Sequence, residues 1–162
     1  MNRRQVFVIA MGGLLAACGR PGPMSLQPNS TLYVVRHSDR LKENLSEKGK
    51  QRSRDLVTAL EGAPLDFIFS PSIQRNLDTA APLSEARGLR VKWRAQERPT
   101  ARLIRETEGK SAIWIGNKGN IRRIWEALEL PGPAPLEYGD LHVIRSDENG
   151  NMTVERRRFG PE

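Results

Sequence analysis

Arg36 and His37 close a short apolar run, and Arg75 stands shortly after a second one. These residue types suit chemistry on an anion. A neutral imidazole can attack phosphorus while guanidinium groups hold charge on the equatorial oxygens. Arginine grips phosphate oxygens in a two-pronged way that lysine does not. A third polar cluster, residues 117–120, follows a third apolar run. Taken singly, His37 reads equally well as a structural histidine at a strand end. Arg75 alone would be a solvated helix residue, and Asn117 a helix-start residue. With two histidines (His37 and His142) and one cysteine (Cys18), ligands for a usual zinc site are too few. Metal-free chemistry is expected. His142 alternates into a strand and reads as packing or surface.

The elements that must carry these groups follow from the pattern. Residues 32–35 are a short apolar, β-rich run, as in a buried strand. Ser46 offers an N-cap to a helix through Leu60, which Gly62 and Pro64 stop. Residues 66–69 form a second strand, and a helix runs from about 72 to 86. Residues 91–93 form a third strand, and 94–110 leave room for one short helix. Residues 112–115 form another buried strand, followed by a helix from about 120 to 130. Residues 140–145 and 152–157 read as a hairpin around Glu148-Asn149-Gly150-Asn151. Strand–helix alternation predicts a three-layer α/β/α sandwich, with a mostly parallel sheet and the C-terminal antiparallel hairpin at its edge. In such a sheet the three clusters converge at the strands' carboxyl ends, beside helix N-termini that favour an anion.

The N-terminus reads differently. Arg3 and Arg4 precede an apolar run over residues 6–17, in the order of a secretory signal. The run is too short to span a bilayer. Leu15-Ala16-Ala17-Cys18 resembles the bacterial lipobox, which implies acylation at Cys18, with residues 1–18 removed or modified as the signal. An ordinary signal with a chance cysteine is the other reading. Gly19, where some lipoproteins carry Asp, implies the outer membrane. Residues 19–30 hold three prolines and two glycines and are expected to be a flexible tether. The formal charge is +7, or +5 once Arg3 and Arg4 are set aside. No basic run is interleaved with aromatics, so nucleic acid is not an expected partner.

Val34-Val35-Arg36-His37 resembles the Arg-His signature of the histidine phosphatase, or phosphoglycerate-mutase-like, superfamily. The other pieces agree in order over residues 31–160. Leu45-Ser46-Glu47-Lys48-Gly49 is similar to the family's Leu-Thr-x-x-Gly helix start. Gln74-Arg75 with Thr79-Ala80 resembles the second-arginine segment, residues 113–128 a late strand–helix unit, and residues 138–144 with Arg158-Phe159-Gly160 the ending of periplasmic members. The resemblance implies that His37 is phosphorylated, that Arg36 and Arg75 bind phosphate, and that no cofactor is needed. Where the family ends its late strand Gly-His, this chain has Gly116-Asn117. Asn117 can donate a hydrogen bond to phosphate but carries no charge; Lys118, Arg40 or Arg122 could restore some. Ser70 stands five residues before Arg75, one more than in the common form. The general acid is unassigned among Asp39, Glu97, Glu106 and Glu108.

Three functions are thus open. The first is a periplasm-facing phosphomonoesterase on a small or envelope-associated ester. The second is an impaired relative that binds phosphate or a phosphorylated partner, which Asn117 keeps in view. The third is a structural envelope lipoprotein.

Overall fold

The computed structural model describes residues 24–162. Its main sheet has six strands: β1 (Thr31–Arg36), β4 (Phe67–Ser70), β5 (Val91–Trp93), β6 (Ser111–Gly116), β7 (Asp140–Ser146) and β8 (Met152–Arg158). Their order is β5-β4-β6-β1-β7-β8. The first four run parallel, and β7 and β8 are antiparallel at one edge. This is the expected α/β architecture.

β1 and β6 are sheet-centre strands because both of their faces are apolar. Leu32, Val34, Ala112 and Trp114 pack with α3 (Thr100–Glu106) and α4 (Lys118–Ala127). Tyr33, Val35, Ile113 and Ile115 pack on the other face with α1 (Glu47–Ala59) and α2 (Gln74–Arg87). Burial on both sides explains why these runs are continuous rather than alternating.

Local chemistry sets the boundaries. Ser46 caps α1, its hydroxyl accepting from Gly49 N–H at 3.1 Å. Gly88, with φ near 61°, ends α2 in the left-handed conformation that glycine takes freely. The β7–β8 turn is held by the Asp147 carboxylate, which accepts from the backbone N–H groups of Asn149 and Asn151.

Two expectations need correction. The tether does not reach residue 30. Leu26 is 1% exposed and belongs to the core beside α4. Met24 N–H donates to Ala127 carbonyl, and Asn29 N–H to Asp147 carbonyl. Proline and glycine break helices, but an extended segment with one apolar anchor can still pack. Helix α4 also begins at Lys118, not at 120. A small second sheet, β2 (Arg40–Leu41) with β3 (Asn44–Leu45), is an addition. The expected signal, lipobox and Cys18 lie outside the described residues.

Candidate active site

Arg36 is the last residue of β1, paired with Gly116 of β6. The ladder runs one residue further, His37 N–H donating to Gly116 carbonyl at 2.8 Å. His37 is therefore fixed at the carboxyl edge of the sheet, and it is 2% exposed.

Its ring is oriented from both ends. Nδ1 is 2.9 Å from Ser38 carbonyl. A carbonyl only accepts, so Nδ1 carries the proton in the neutral ring. Nε2 then presents its lone pair, and Arg75 Nε–H donates to it at 3.2 Å. Ser38 is itself held: its N–H donates to Thr79 Oγ1 at 2.9 Å, and its hydroxyl meets Ser53 Oγ at 3.1 Å. Thr79 Oγ1 in turn donates to Arg75 carbonyl, one turn back on α2. α1 and α2 thus both grip the loop that aims His37.

The electrostatics favour an uncharged ring. Burial, then the nearby Arg36, Arg75 and Arg40, outweigh the hydrogen bond to Ser38 and push His37 down to about 4 from the ordinary 6.5. At neutral pH His37 is an uncharged base with Nε2 facing a guanidinium.

Arg36 lies next to this pair but is occupied. Nη1 donates to Leu136 carbonyl at 3.1 Å and Nη2 to Tyr138 hydroxyl at 3.0 Å, with the guanidinium carbon 3.9 Å from the Tyr138 ring centre. Its Nε is buried and has no hydrogen-bond partner among the described residues. Tyr138 also packs beside His37, their ring centres 5.9 Å apart. Sequence reasoning missed Tyr138 as a site residue, although it opens a segment that matched the family.

Asn117 follows the Gly116 carbonyl that holds His37, so the two backbones adjoin. Its side chain turns to α4: Oδ1 accepts from Gly119 N–H at 3.1 Å and Asn120 N–H at 3.2 Å. Nδ2 donates to Gln96 Oε1 at 3.0 Å. Among the described contacts, none joins Asn117 to His37, Arg36 or Arg75. The geometry brings His37 and Arg75 together, leaves Arg36 one contact away through Tyr138, and makes Asn117 a helix cap.

The acids sort by partner. Asp39 is gripped by Arg52, with Oδ2 2.6 Å from Nε and Oδ1 3.4 Å from Nη2. Burial pushes its carboxyl up, but the bonds to Arg52 prevail and hold it below its ordinary range. Glu106 is engaged by Arg94 and Arg102. Lys118 reaches Glu137 at 3.3 Å. Glu43, which the sequence did not single out, accepts from Arg75 Nη1 at 3.0 Å. His142 is buried in β7 against the Trp125 ring. Among the described residues, no three His, Cys, Asp or Glu side chains cluster as metal ligands, and no helix is long and apolar enough to cross a membrane.

The sequence matches the model of the histidine phosphatase superfamily (branch 1) over residues 32–126. The chain belongs to that superfamily. No curated protein matches it in sequence. Solved structures share its fold. The protein histidine phosphatase SixA, complexed with tungstate, aligns with TM-score 0.61 at 16% identity, over 79% of this chain and 96% of its own. A mycobacterial glucosyl-3-phosphoglycerate phosphatase, with inorganic phosphate, gives 0.57 at 16% identity, over 82% and 98%. The phosphoserine phosphatase of Entamoeba histolytica, with 3-phosphoglyceric acid, gives 0.58 at 14% identity, over 82% and 97%. At such identities the likeness speaks to the fold. The matched span of the family model contains Arg36, His37, Arg75 and Asn117.

Proposed function

We propose that this chain is a phosphatase that hydrolyses phosphomonoesters through a phosphohistidine at His37, without a metal. The observation that carries this is the pairing of His37 Nε2 with Arg75 Nε while Ser38 holds Nδ1. Nε2 attacks phosphorus, the bond from phosphorus to the ester oxygen breaks, and the leaving oxygen takes up a proton from solvent. Water then attacks the phosphohistidine, releasing phosphate and restoring the neutral ring. Arg75 moves from the ring nitrogen to the phosphoryl oxygens, where its charge matches the transition state. Arg36, its Nη1 and Nη2 held by Leu136 carbonyl and Tyr138 hydroxyl, adds positive charge beside the ring. Superfamily membership and the fold shared with three phosphatases support the reading.

The substrate class we favour is a small or envelope-associated phosphate ester. With Cys18 acylated, the domain would face the periplasm on a lipid anchor, at the outer membrane. A second reading has one observation behind it: the side chain at the family's second-histidine position is committed to capping α4. A chain so altered would bind phosphate or a phosphorylated partner without turning it over.

The purified protein, assayed on an aryl phosphate in the presence of a chelator, separates the two. Turnover, acid-labile phosphate on the protein, and loss of both in His37→Ala support the phosphatase. Vanadate binding that disappears in Arg75→Ala, with no turnover, supports the impaired binder.

A further inference from the structure

The short β2–β3 hairpin places a carboxylate at the mouth of the site. Its turn is Lys42-Glu43, with Lys42 in the left-handed region at φ 56°. Arg40 Nη1 donates to Lys42 carbonyl at 2.8 Å and lies 3.6 Å from Glu43 Oε1. Glu43 Oε2 accepts from Arg75 Nη1 at 3.0 Å, and Arg75 Nε donates to His37 Nε2 at 3.2 Å. One guanidinium therefore touches the buried imidazole with one nitrogen and an acid with another. The Glu43 side chain is 80% exposed, whereas that of Arg75 is 18% exposed. The acid stands on the solvent side of the arginine and the imidazole on the inner side.

Other acids nearby are neutralised. Asp39 is spent on Arg52, and Glu137 on Lys118. Glu43 is the acid in contact with Arg75.

In-line attack by Nε2 puts the leaving group opposite the imidazole. His37 is buried, so the leaving group points outward, to the side where Glu43 stands. Only one guanidinium separates the Glu43 charge from the ring nitrogen that attacks. That span is comparable to the screening length of about 8 Å at physiological ionic strength. From this geometry, and resting on the phosphatase reading above, we infer that Glu43 selects substrates by the charge of the leaving group. It favours phosphate esters or phosphoramidates whose leaving group carries an ammonium or imidazolium. It works against those with a second anionic group. A phosphoryl group competes with Glu43 for Arg75; once Arg75 turns to phosphate, Oε2 is released to meet a cation while Oε1 keeps only its longer, exposed contact with Arg40.

The test uses the full chain and three aryl phosphates of matched leaving-group pKa. One bears a trimethylammonium, one is neutral and one bears a carboxylate. The wild type is expected to rank kcat/KM as cationic, neutral, anionic, with about tenfold from first to last, the scale of a single exposed charge contact at each end. Glu43→Gln should shrink that spread to less than about threefold, Glu43→Lys should reverse it, and 0.5 M salt should flatten it in the wild type. An unchanged ranking in both variants overturns the inference while leaving the phosphatase reading intact. If no compound turns over, the phosphatase reading fails, and calorimetric affinities for the same three compounds take over as the readout. The same order, flattened by Glu43→Gln, sustains the role of Glu43, and equal affinities refute it.

Discussion

Arg75 Nε stands 3.2 Å from His37 Nε2, the one ring nitrogen that the Ser38 carbonyl leaves free. On the proposed phosphatase reading the contact sets the task of Arg75: direct a donor at the His37 nucleophile and keep further donors for phosphate. A lysine offers a point charge on a flexible stem and cannot serve two positions at once. Arg75→Lys should therefore lower kcat/KM by about 10²–10³, the range seen when one preorganised transition-state donor is lost. Steady-state kinetics on an aryl phosphate check this. A loss below fivefold would mean that Arg75 does not touch the reacting group.

The depressed His37 ring ties both activity and stability to pH. His37 ordinarily titrates near 6.5 and is pushed to about 4, by burial first and then by the surrounding arginines. Between those values the unfolded chain binds a proton that the folded chain refuses. Stability should therefore fall as pH drops through that window, by a contribution on the order of 3 kcal/mol, and His37 should add no further loss below it. His142, lowered mainly by burial, acts in the same direction. His37→Gln removes the larger share. Urea unfolding at pH 7, 5.5 and 4.5 would show a shallower decline in this variant; parallel declines would refute the assignment. In the same way the acid limb of kcat/KM should lie below pH 5.

Arg52 is the buried brace behind the loop that follows His37. Its side chain is 4% exposed and bonds to both Asp39 oxygens, Phe159 carbonyl and Pro161 carbonyl. The C-terminal tail is thereby stitched to the residue two positions past His37. Arg52→Met keeps the apolar stem but strands the Asp39 carboxylate, at a cost of about 3–5 kcal/mol. Adding Asp39→Asn should return part of that loss, because the stranded charge is gone. Thermal or urea denaturation of the two single variants and the double decides the point. Strict additivity would show that the pair is not coupled. Gly49→Ala should be comparably harmful, since a Cβ there overlaps the Asp39 carbonyl.

What was legible in the sequence, and what was not, follows from the range of the forces involved. β1 and β6 declare themselves because each face meets a helical layer, leaving no polar alternation. Helix α1 is announced by Ser46, whose cap needs only its own neighbours. Topology then brings Arg36, His37, Arg75 and Asn117 to one edge. Side-chain directions are another matter. Arg36 is drawn to Tyr138, about a hundred residues away, and no local pattern marks that partnership. Glu43 sits in a hairpin of two residues per strand, below the length at which alternation can be read. The packing of Leu26 rests on one apolar side chain in a stretch that composition alone assigns to a tether.

Asn117 separates a capping role from a catalytic one. Its Oδ1 satisfies two N–H groups that helix geometry leaves open, so Asn117→Ala should cost about 1 kcal/mol. Asn117→Asp keeps the cap and adds charge where the helix dipole welcomes it, so stability should stay within about 0.5 kcal/mol of wild type. The cap sits at the strand end next to the one that carries His37, so the added charge should lower kcat/KM at least about tenfold if the position borders the phosphoryl group. Asn117→His tests the converse. It gives up the cap, again for about 1 kcal/mol, and supplies an imidazole at the place where the superfamily carries its second histidine. A rise in kcat of about tenfold or more alongside a lower Tm would show that this chain traded transition-state stabilisation for a firmer helix start. A lower Tm with kcat unchanged would show that the α4 cap lies too far from the phosphoryl group for any side chain there to matter.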